Sequence, residues 1–352
     1  MVNFKESLKK YKLEIDNEID KFFKDKIAVA DEDFKHFYQL LRTFVMNGGK
    51  RLRPIAFLMT YKGLGGLKDI TKQSLAVEFF HNATLIEDDF MDEDDTRRGK
   101  PTVYKTLQEE FLKENSDGKR KGVFTSKSYN VAVSEAVLLS NILYSFGQEC
   151  LESADARPDA ILEALRLYNN AFKDVNRGQL LDMSQENKIP SEEEYLKMAE
   201  LKSAKLVSVS MEIASVLAGV TSKQRQNIKS YAKNVALAFQ IRDDLMDLDP
   251  GAKKGHELAS DLKQGKKTLP IVKALETKDK RILKVLGDPD ASSRKVDKAI
   301  EAIRETEALD YCRQRAAEFI EEGKSYLPKT MMKDSHIDFF DKLADYVVER
   351  TI

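Results

Sequence analysis

Residues 85–101 read LIEDDFMDEDDTRRGKP, and acidic side chains occupy almost every position from Glu87 to Asp95. Asp88 and Asp92 are four residues apart. On a helix both would therefore lie on one face, about one turn from each other. Carboxylates at this spacing repel each other unless a cation compensates them. The stretch thus predicts a cation-binding site at the end of a helix.

A plain alternative is an acidic, solvated helix face whose charge is balanced by the basic residues that follow it, Arg97, Arg98 and Lys100. A second copy of the pattern favours the cation site. Residues 243–247 read DDLMD, with the same i, i+1, i+4 spacing of aspartates, again at the end of an apolar helical segment. Two helices that carry matched carboxylates can face each other in a bundle and share a metal.

The ligand types indicate which cation and which substrate would be bound. Carboxylate oxygens without His or Cys suit hard cations, and Mg²⁺ in particular is commonly completed by substrate phosphates. A diphosphate held by Mg²⁺ on one side and by Arg or Lys on the other would use both signs of charge. Further basic residues occur in NGGKRLRP (47–54), at Lys202 and in DLKQGKKT (261–268), although each alone is also compatible with an ordinary surface residue.

Composition restricts the class of protein. The chain has 352 residues, of which 42% are hydrophobic, enough for a sizeable core. Its 58 Lys and Arg nearly balance 59 Asp and Glu. The chain as a whole therefore gives no electrostatic reason to expect nucleic-acid binding or attachment to an acidic membrane.

The compartment is predicted from cysteine usage and from hydropathy. The two cysteines, Cys150 and Cys312, have neither the number nor the spacing of a disulfide framework or a zinc site. The charged start of the chain lacks the apolar core of a signal peptide, and no apolar run approaches the length of a membrane span. We expect a cytoplasmic protein without stable membrane insertion.

Helical periodicity dominates the chain. Apolar residues recur at i, i+3, i+4 and i+7 in residues 206–220, which stop at Gly219, and in residues 234–248, which stop at a DPG turn. Strand-like alternation is hard to find. We therefore predict an all-α protein with one domain over residues 1–352, since no long linker or internal repeat divides it.

The ordered motifs resemble those of the trans-isoprenyl diphosphate synthases, also called polyprenyl synthetases. The resemblance covers a motif-bearing core of about 40–275, with helices of about 276–352 completing the bundle. The motifs that carry it are GGKRLRP, EFFHNATLIEDDFMDEDDTRRGKPT, GQLLDM (178–183), LKSAKL (201–206), FQIRDDLMD (239–247) and SDLKQGKKTLP (260–270). The resemblance implies a helical bundle of the isoprenoid synthase type with a central cleft.

The resemblance also implies a reaction. A Mg²⁺-dependent prenyltransferase of this family joins isopentenyl diphosphate to an allylic diphosphate, by ionisation, attack on the allylic cation and loss of a proton. Three Mg²⁺ ions would be held mainly by Asp88, Asp92 and Asp243, with direct or water-mediated support from Asp89, Asp244 and Asp247. The family is usually homodimeric, so a homodimer is expected.

The basic motifs would hold the two diphosphates separately. The implied ligands of the allylic diphosphate are Arg97, Lys202 and Lys266, and those of isopentenyl diphosphate are Lys50, Arg53, His81 and Arg98. His81 alone would be interpreted as a packed helix residue. Gln240, the Ser203 hydroxyl and the Lys202 carbonyl would direct dipoles at the developing cation, and Phe239 and Gln179 would line or support that cavity.

Product length would be set by residues that precede the first aspartate motif. Ala83 and Thr84 are small, whereas Phe80 lies about one turn deeper, with Phe79 beside it. By its resemblance to enzymes that elongate beyond farnesyl diphosphate, the chain is expected to make geranylgeranyl diphosphate or a product a few isoprene units longer. Phe80 would close the tunnel, or else pack as a core residue and leave the floor to the facing helix near Leu143 or Phe146.

Several positions depart from the family pattern. Where GKxxGxD is usual, the chain has GHELASD, with His256 in place of Lys and Ala259 in place of Gly. Lys253, Lys254 or a protonated His256 could restore that diphosphate contact. Glu87 replaces a common His, and Ser140-Asn141 replaces a usual Gly-Asp.

Two alternatives stay open at this point. A terpene cyclase shares the fold and one acidic motif, but it normally carries an NSE-type second motif and needs no isopentenyl diphosphate site. A non-catalytic subunit of a heteromeric prenyl synthase would keep the fold and lose the metals, whereas both aspartate motifs are complete here.

Overall fold

The computed structural model describes residues 4–119, 126–186, 188–251 and 258–349. Most of them are helical, so the all-α prediction is confirmed. Among the described residues, no helix is both long and apolar enough to cross a membrane. The helices are α1 (Phe4–Val29), α2 (Glu32–Met46), α3 (Leu52–Gly63), α4 (Thr71–Met91), α5 (Val103–Glu114), α6 (Lys127–Glu152), α7 (Pro158–Gln185), α8 (Glu192–Ala199), α9 (Lys205–Leu217), α10 (Ser222–Asp247), α11 (Ser260–Lys263), α12 (Leu269–Leu275), α13 (Lys280–Leu283), α14 (Ser293–Arg304), α15 (Ala308–Tyr326) and α16 (Asp334–Glu349).

A short hairpin follows α4 that the sequence pattern did not reveal. Its strands β1 (Thr96–Arg97) and β2 (Lys100–Pro101) have two residues each and pair antiparallel. Two residues are too few to show alternation. The turn nevertheless has the expected chemistry, because Arg98 and Gly99 both adopt positive φ, as the central residues of a tight hairpin turn do.

The chain divides into two compact units, the first made of Met1–Leu58 and Leu67–Leu165. Within it α4 packs along α6, α5 packs on α6, and α1 packs on α2 and α4. An aromatic cluster fills the space between α1, α4 and α6, with ring centroids 5.0–6.3 Å apart. Its members are Phe22, Phe23, Phe79 and Phe146. This packing fixes the position of the C-terminal half of α4, where the first aspartate motif lies.

The second unit, Met59–Gly66 and Arg166–Ile352, is organised around α10, which packs against α9 and α15. A capping box starts α10: the Thr221 hydroxyl accepts from the Gln224 N–H, and the Gln224 side chain accepts from the Thr221 N–H. The helix ends at Asp247, before the DPG turn, as predicted. The last part of the chain is helical, also as expected, and α12, α13 and α14 contribute to one apolar core. The single domain and the central cleft stay predictions.

Candidate active site

The first aspartate motif lies at the C-terminal end of α4. The helix ends at Met91, and Asp92 is its C-cap residue, whose backbone N–H donates to the Asp88 carbonyl oxygen at 2.8 Å. Because Asp92 keeps helix-like backbone angles, the side chains of Asp88 and Asp92 leave from the same side of the chain. Both residues are half-buried. The geometry that the four-residue spacing predicts is therefore present.

Asp89 is completely buried and is held by one cationic donor. Arg97 Nε donates to Asp89 Oδ1 at 2.5 Å, whereas the buried Oδ2 atom has no hydrogen-bond donor among the described residues. Burial raises the pKa of Asp89 to about 7, although the charge of Arg97 and its hydrogen bond work in the opposite direction. A buried carboxylate oxygen without a donor is an atom that a metal ion, a water or a proton would satisfy.

The hairpin after the motif positions two arginines. Arg97 lies on β1 and contacts Asp89, while the Nη1 atom of Arg98 donates to the carbonyl oxygen of Asn47 at 3.0 Å. A Cβ atom on Gly49 would lie 3.4 Å from Arg98 Nη1, so the glycine loop leaves room for that guanidinium. The sequence motifs GGKRLRP and DDTRRGKP are therefore brought together within the first unit.

The first unit contains a cationic cluster around His81. Burial lowers the pKa of His81 well below its ordinary value, and the positive charges of Arg53, Arg98, Arg97 and Arg51 lower it further. Burial likewise lowers the pKa of the Arg53 and Arg98 guanidinium groups. His81 is therefore neutral beside several cations. It can serve there as a hydrogen-bond partner of a bound anion, while the arginines supply the charge.

Arg51 has a structural role that sequence analysis did not assign. Its buried guanidinium donates to Asp16 at 2.8 Å, to Glu78 at 2.5 Å and to the Val45 carbonyl oxygen at 2.7 Å, and so joins α1, α2 and α4. Arg53, two residues later, has a buried Nε atom without a hydrogen-bond acceptor among the described residues. The sequence could not show this role of Arg51, because Asp16 is 35 residues away.

The second aspartate motif lines a cavity of about 210 Å³ within the second unit. It brings together seven predicted site residues: Lys202, Ser203, Gln240, Asp243, Asp244, Asp247 and Lys266. Six other polar residues that the sequence did not single out also line it: Asp182, Tyr195, Ser260, Asp261, Lys267 and Thr268. The cavity thus combines carboxylates, ammonium groups and hydroxyls, the mixture that a metal-bound diphosphate requires.

Asp244 is buried and fully hydrogen-bonded. Its Oδ2 atom accepts from the Tyr195 hydroxyl at 2.6 Å and from the Leu269 N–H at 3.3 Å, and its Oδ1 atom accepts from Gln240 Nε2 at 2.9 Å. Burial raises its pKa to about 6, and the bonds from Tyr195 and Gln240 oppose that rise. The hydrogen bond from Gln240 also fixes the orientation of its amide. The Nε2 end donates to Asp244, and the Oε1 end makes no hydrogen bond with Asp244.

Asp247 connects the motif to the segment that follows. One of its oxygens accepts from the Ser260 hydroxyl at 2.9 Å, and the other accepts from the Asp261 N–H at 3.1 Å. Its backbone carbonyl accepts from the Ala259 N–H at 2.8 Å. Asp247 therefore holds the start of α11, and the half-buried Asp243 lines the same cavity.

Lys202 and Ser203 lie in a short π-helical segment, Glu200–Ala204, between α8 and α9. Lys202 Nζ donates to Asp182 on α7 at 2.6 Å. A Cβ atom on Gly178 would lie 2.3 Å from the Lys202 backbone nitrogen, so only glycine permits this approach of α7. The GQLLDM motif thus supplies both the close contact and the carboxylate partner of Lys202. π-helical turns are frequently found at functional sites.

The remaining predicted site residues differ in whether they line the cavity. Lys266 lines the cavity, whereas its neighbour Lys267 is bonded to the carbonyl oxygens of Glu186 and Gly265. Phe239 and Gln179 are half-buried and are not among the residues that line the cavity. Lys50, in the first unit, is exposed.

The predicted product-length residues lie where α4 packs on α6. Phe80 is fully buried, and its ring meets that of Tyr144 edge to face, with centroids 5.4 Å apart. Ala83 is buried, and the Thr84 hydroxyl donates to the His81 carbonyl oxygen at 2.8 Å. Tyr144 was not singled out in the sequence, because nothing there shows which side chain of α6 faces Phe80.

The neighbouring aromatic residues lie elsewhere. Phe79 and Phe146 belong to the cluster against α1, in contact with Phe22 and Phe23. Leu143 is fully buried. Consecutive residues of α4 therefore pack in different places. Phe79 lies in the cluster against α1, and Phe80 lies against Tyr144.

Two departures from the family pattern contact each other. The Ser140 hydroxyl on α6 donates to Glu87 Oε1 at 2.6 Å, and burial raises the pKa of Glu87.

Ala259 adopts φ +56, a left-handed conformation that disfavours any residue with a Cβ, which explains why glycine is usual there. Lys253, Lys254 and His256, the possible substitutes for the usual lysine, lie outside the described residues.

The described side chains contain no preformed cage of three or more His, Cys, Asp or Glu residues. This agrees with the ligand chemistry of Mg²⁺, which is commonly held by one or two carboxylates and completed by water and substrate phosphates. The Asp89 Oδ2 atom without a donor and the carboxylate-lined cavity fit such a cation.

Comparison with known proteins gives a consistent picture. A family model described as polyprenyl synthetase matches residues 34–303. A geranylgeranyl pyrophosphate synthase of Geoglobus acetivorans is 31% identical over 94% of this chain and 99% of its own length, and its solved structure superposes with a TM-score of 0.79 over 97% and 98% of the two chains. A short chain isoprenyl diphosphate synthase of Methanocaldococcus jannaschii is 33% identical over 80% and 83% of the two chains. A Corynebacterium glutamicum geranylgeranyl pyrophosphate synthase, solved with isoprenyl diphosphate and magnesium, has a TM-score of 0.87, covers 98% and 99% of the chains, and at 24% identity supports the fold.

Proposed function

The chain belongs to the polyprenyl synthetase family, and we propose that it joins isopentenyl diphosphate to an allylic diphosphate in a Mg²⁺-dependent, head-to-tail trans-prenyl transfer. The observation that carries the proposal is the cavity of the second unit, where three aspartates of one motif lie with Lys202, Lys266 and a glutamine amide. This set of groups has the chemistry to hold a diphosphate and to stabilise a developing positive charge.

The proposed metal ligands are Asp88, Asp92 and Asp243, with Asp89, Asp244 and Asp247 in support. Bound Mg²⁺ would supply charge that makes diphosphate a better leaving group, and three ions per active site are proposed. Asp244 is bonded to three donors and Asp247 to the start of α11, which supports a positioning role for these two aspartates. Asp243 lines the cavity and is proposed to bind metal.

Two groups of cations are proposed to bind the two diphosphates. Arg97, Lys202 and Lys266 are assigned to the allylic substrate, and Lys50, Arg53, His81 and Arg98 to isopentenyl diphosphate. The mutual repulsion of Arg53, Arg98 and their neighbours around neutral His81 supports the second assignment, because a bound anion would relieve it.

The allylic cation is proposed to form opposite three oxygen dipoles: the Lys202 carbonyl, the Ser203 hydroxyl and the Gln240 amide oxygen. The bond from Gln240 Nε2 to Asp244 supports this role, because it leaves the carbonyl end of the amide for the cavity. Dipoles fixed before the reaction stabilise charge that exists only near the transition state. Phe239 and Gln179 are assigned supporting roles.

The proposed product is geranylgeranyl diphosphate or a chain a few isoprene units longer. The name of the Geoglobus acetivorans relative, a geranylgeranyl pyrophosphate synthase, supports this length. So does the sequence of side chains along α4, in which small Ala83 and Thr84 precede the buried Phe80. We propose that Phe80 and Tyr144 together form the floor of the product tunnel.

A homodimer is proposed as the assembly. Exposed apolar side chains on α6 support it, with Leu138 61% and Val137 37% exposed. Such side chains on an otherwise amphipathic helix favour burial against a second copy. Sedimentation at micromolar concentration should give a dimer, and a monomer would contradict this part of the proposal.

Product analysis tests the proposed function. Purified protein would be incubated with Mg²⁺, labelled isopentenyl diphosphate and, in turn, dimethylallyl, geranyl, farnesyl and geranylgeranyl diphosphate. A linear, elongated diphosphate is expected. A cyclised hydrocarbon formed without isopentenyl diphosphate would indicate a terpene cyclase, and no product from any pair would indicate a non-catalytic subunit.

A further inference from the structure

A second cavity of the second unit carries positive charge that the proposed reaction does not use. It has a volume of about 130 Å³ and is lined by three arginines, one each from α10, α14 and α15, together with Asp249 and four apolar residues. The arginines are Arg242, Arg304 and Arg313. None of its lining residues lines the cavity of the second aspartate motif.

One buried donor of this arginine pocket lacks an acceptor within the described part of the chain. Arg242 Nε is buried and has no hydrogen-bond acceptor among the described residues. A cationic donor that is buried without an acceptor is costly, and it is usually satisfied by a ligand or an ion.

Arg281, in the same unit, differs from Arg242 in having carboxylate acceptors. Arg281 forms hydrogen bonds with both Asp279 and Glu305, at distances of 2.5–3.2 Å. Glu305 directly follows Arg304 in the chain, so the nearest carboxylate in sequence to Arg304 is already engaged by Arg281. Arg313 bonds to Asp310 on its own helix, at the surface. Among the described residues, the pocket is thus lined by one carboxylate, Asp249, and three guanidinium groups, of which that of Arg313 is also paired with Asp310.

We propose that the arginine pocket binds a phosphate or diphosphate group at a site separate from the two aspartate motifs. Guanidinium groups match phosphate oxygens in forked, charge-assisted hydrogen bonds. With a volume of about 130 Å³, the pocket has room for a phosphate-sized group.

The position of the pocket links it to the second aspartate motif. Arg242 directly precedes Asp243 on α10, and Leu245 and Leu248 line the pocket in the following turn. An anion that joins Arg242 on α10 to Arg304 on α14 and Arg313 on α15 would hold the end of the motif helix against its neighbours. Two sources have the required chemistry, free inorganic diphosphate and the head group of a prenyl diphosphate.

Calorimetric titration of the full chain with inorganic diphosphate, in EDTA, tests the site. The variant is Arg304→Gln/Arg313→Gln, which alters no proposed catalytic residue, and the matched control is Arg281→Gln. We expect the wild type and the control to bind one more diphosphate per chain than the double variant, or to bind it at least tenfold more tightly. Equal stoichiometry and affinity in the three proteins would overturn the proposal.

Thermal unfolding at low ionic strength gives a second readout. Diphosphate should raise the melting temperature of the wild type more than that of Arg304→Gln/Arg313→Gln, because a ligand stabilises only a protein that binds it. An equal rise in the two proteins would overturn the site. Titration with farnesyl diphosphate distinguishes the sources: binding tighter than that of inorganic diphosphate, and lost in the double variant, assigns the pocket to a prenyl head group, whereas equal affinity assigns it to the free anion.

Discussion

The two aspartate motifs have the same sequence spacing but different surroundings. In the first motif, Asp89 is held by Arg97 alone, and its second oxygen has no donor among the described residues. In the second motif, Asp244 accepts hydrogen bonds from Tyr195, Gln240 and the Leu269 backbone. Both aspartates are buried, but Asp89 is paired with the cationic Arg97, whereas the donors to Asp244 are uncharged.

The last aspartates of the two motifs differ as well. Asp92 is a half-buried C-cap residue of α4, whereas Asp247 is buried and holds Ser260 and the start of α11. A repeated pattern therefore does not imply repeated roles. The hydrogen bonds give Asp244 and Asp247 a positioning role in the second motif, whereas in the first motif Arg97 holds Asp89.

The largest expected effect is on turnover. Asp88→Ala and Asp243→Ala should each lower kcat by about 10³-fold, because each removes a proposed metal ligand. Circular dichroism and thermal unfolding should show an intact fold, since neither residue is fully buried. Asp247→Ala should instead lower the melting temperature together with kcat. Near-normal turnover in either of the first two variants would remove that aspartate from the site.

The next largest effect separates the two diphosphates. Arg98→Ala should raise the KM for isopentenyl diphosphate by about 10- to 100-fold, and Lys202→Ala should do the same for the allylic substrate, because each removes a charge-assisted contact worth about 1.5–3 kcal/mol. Steady-state kinetics with each substrate varied in turn provides the measurement. Equal weakening of both substrates in both variants would show that the division is wrong.

A smaller effect concerns stability and pH, and it contrasts Asp89 with Asp244. Burial raises the pKa of Asp89 from 3.8 to about 7, so the protonated form favours folding, and this contribution is lost as pH rises through about 7. Asp89→Asn cannot ionise and keeps an oxygen for Arg97. In EDTA its stability relative to the wild type should therefore increase between pH 5 and pH 8, by about 1–4 kcal/mol.

Asp244→Asn should behave differently. An amide cannot accept the three hydrogen bonds that the carboxylate accepts, so this variant should be less stable than the wild type at every pH, by about 1–3 kcal/mol. Its raised pKa of about 6 places the remaining pH dependence lower than that of Asp89. Urea unfolding across the pH range measures both variants, and parallel curves would contradict the contrast.

The smallest effect is a shift in product length. Phe80→Ala should lengthen the product by one or a few isoprene units, and Phe80→Ala/Tyr144→Ala should lengthen it further, because the two rings are in contact. Phe79→Ala is the matched control on the same helix and should destabilise the protein by about 3–5 kcal/mol without changing product length. If Phe80→Ala only lowered stability, it would be an ordinary core residue.

The sequence allowed prediction of the helices and of which motifs carry chemistry. Apolar periodicity and stop signals are local, and they located the ends of α9 near Gly219 and of α10 before the DPG turn. Spacing also predicted that Asp88 and Asp92 share one side of the chain. These features depend on residues within a few turns of each other, which is the range in which backbone geometry alone decides the outcome.

The partners of the motif residues could not be predicted in the same way. Asp182 meets Lys202 from another helix, Tyr195 meets Asp244 across 49 residues, and Asp16 meets Arg51 from the first helix. Each contact depends on how helices pack, and no local pattern records that. The two-residue hairpin was missed for a different reason, because its strands are too short to show alternation.

The dependence of activity on Mg²⁺ tests most directly whether the aspartate motifs bind metal. Purified protein would be treated with excess EDTA, supplied with an allylic diphosphate and labelled isopentenyl diphosphate, and assayed before and after Mg²⁺ is restored. If the aspartate motifs bind Mg²⁺, no labelled product should form in EDTA, and a linear elongated diphosphate should form once Mg²⁺ is present. Elongation at an undiminished rate in EDTA would contradict the assignment of the aspartate motifs to metal binding.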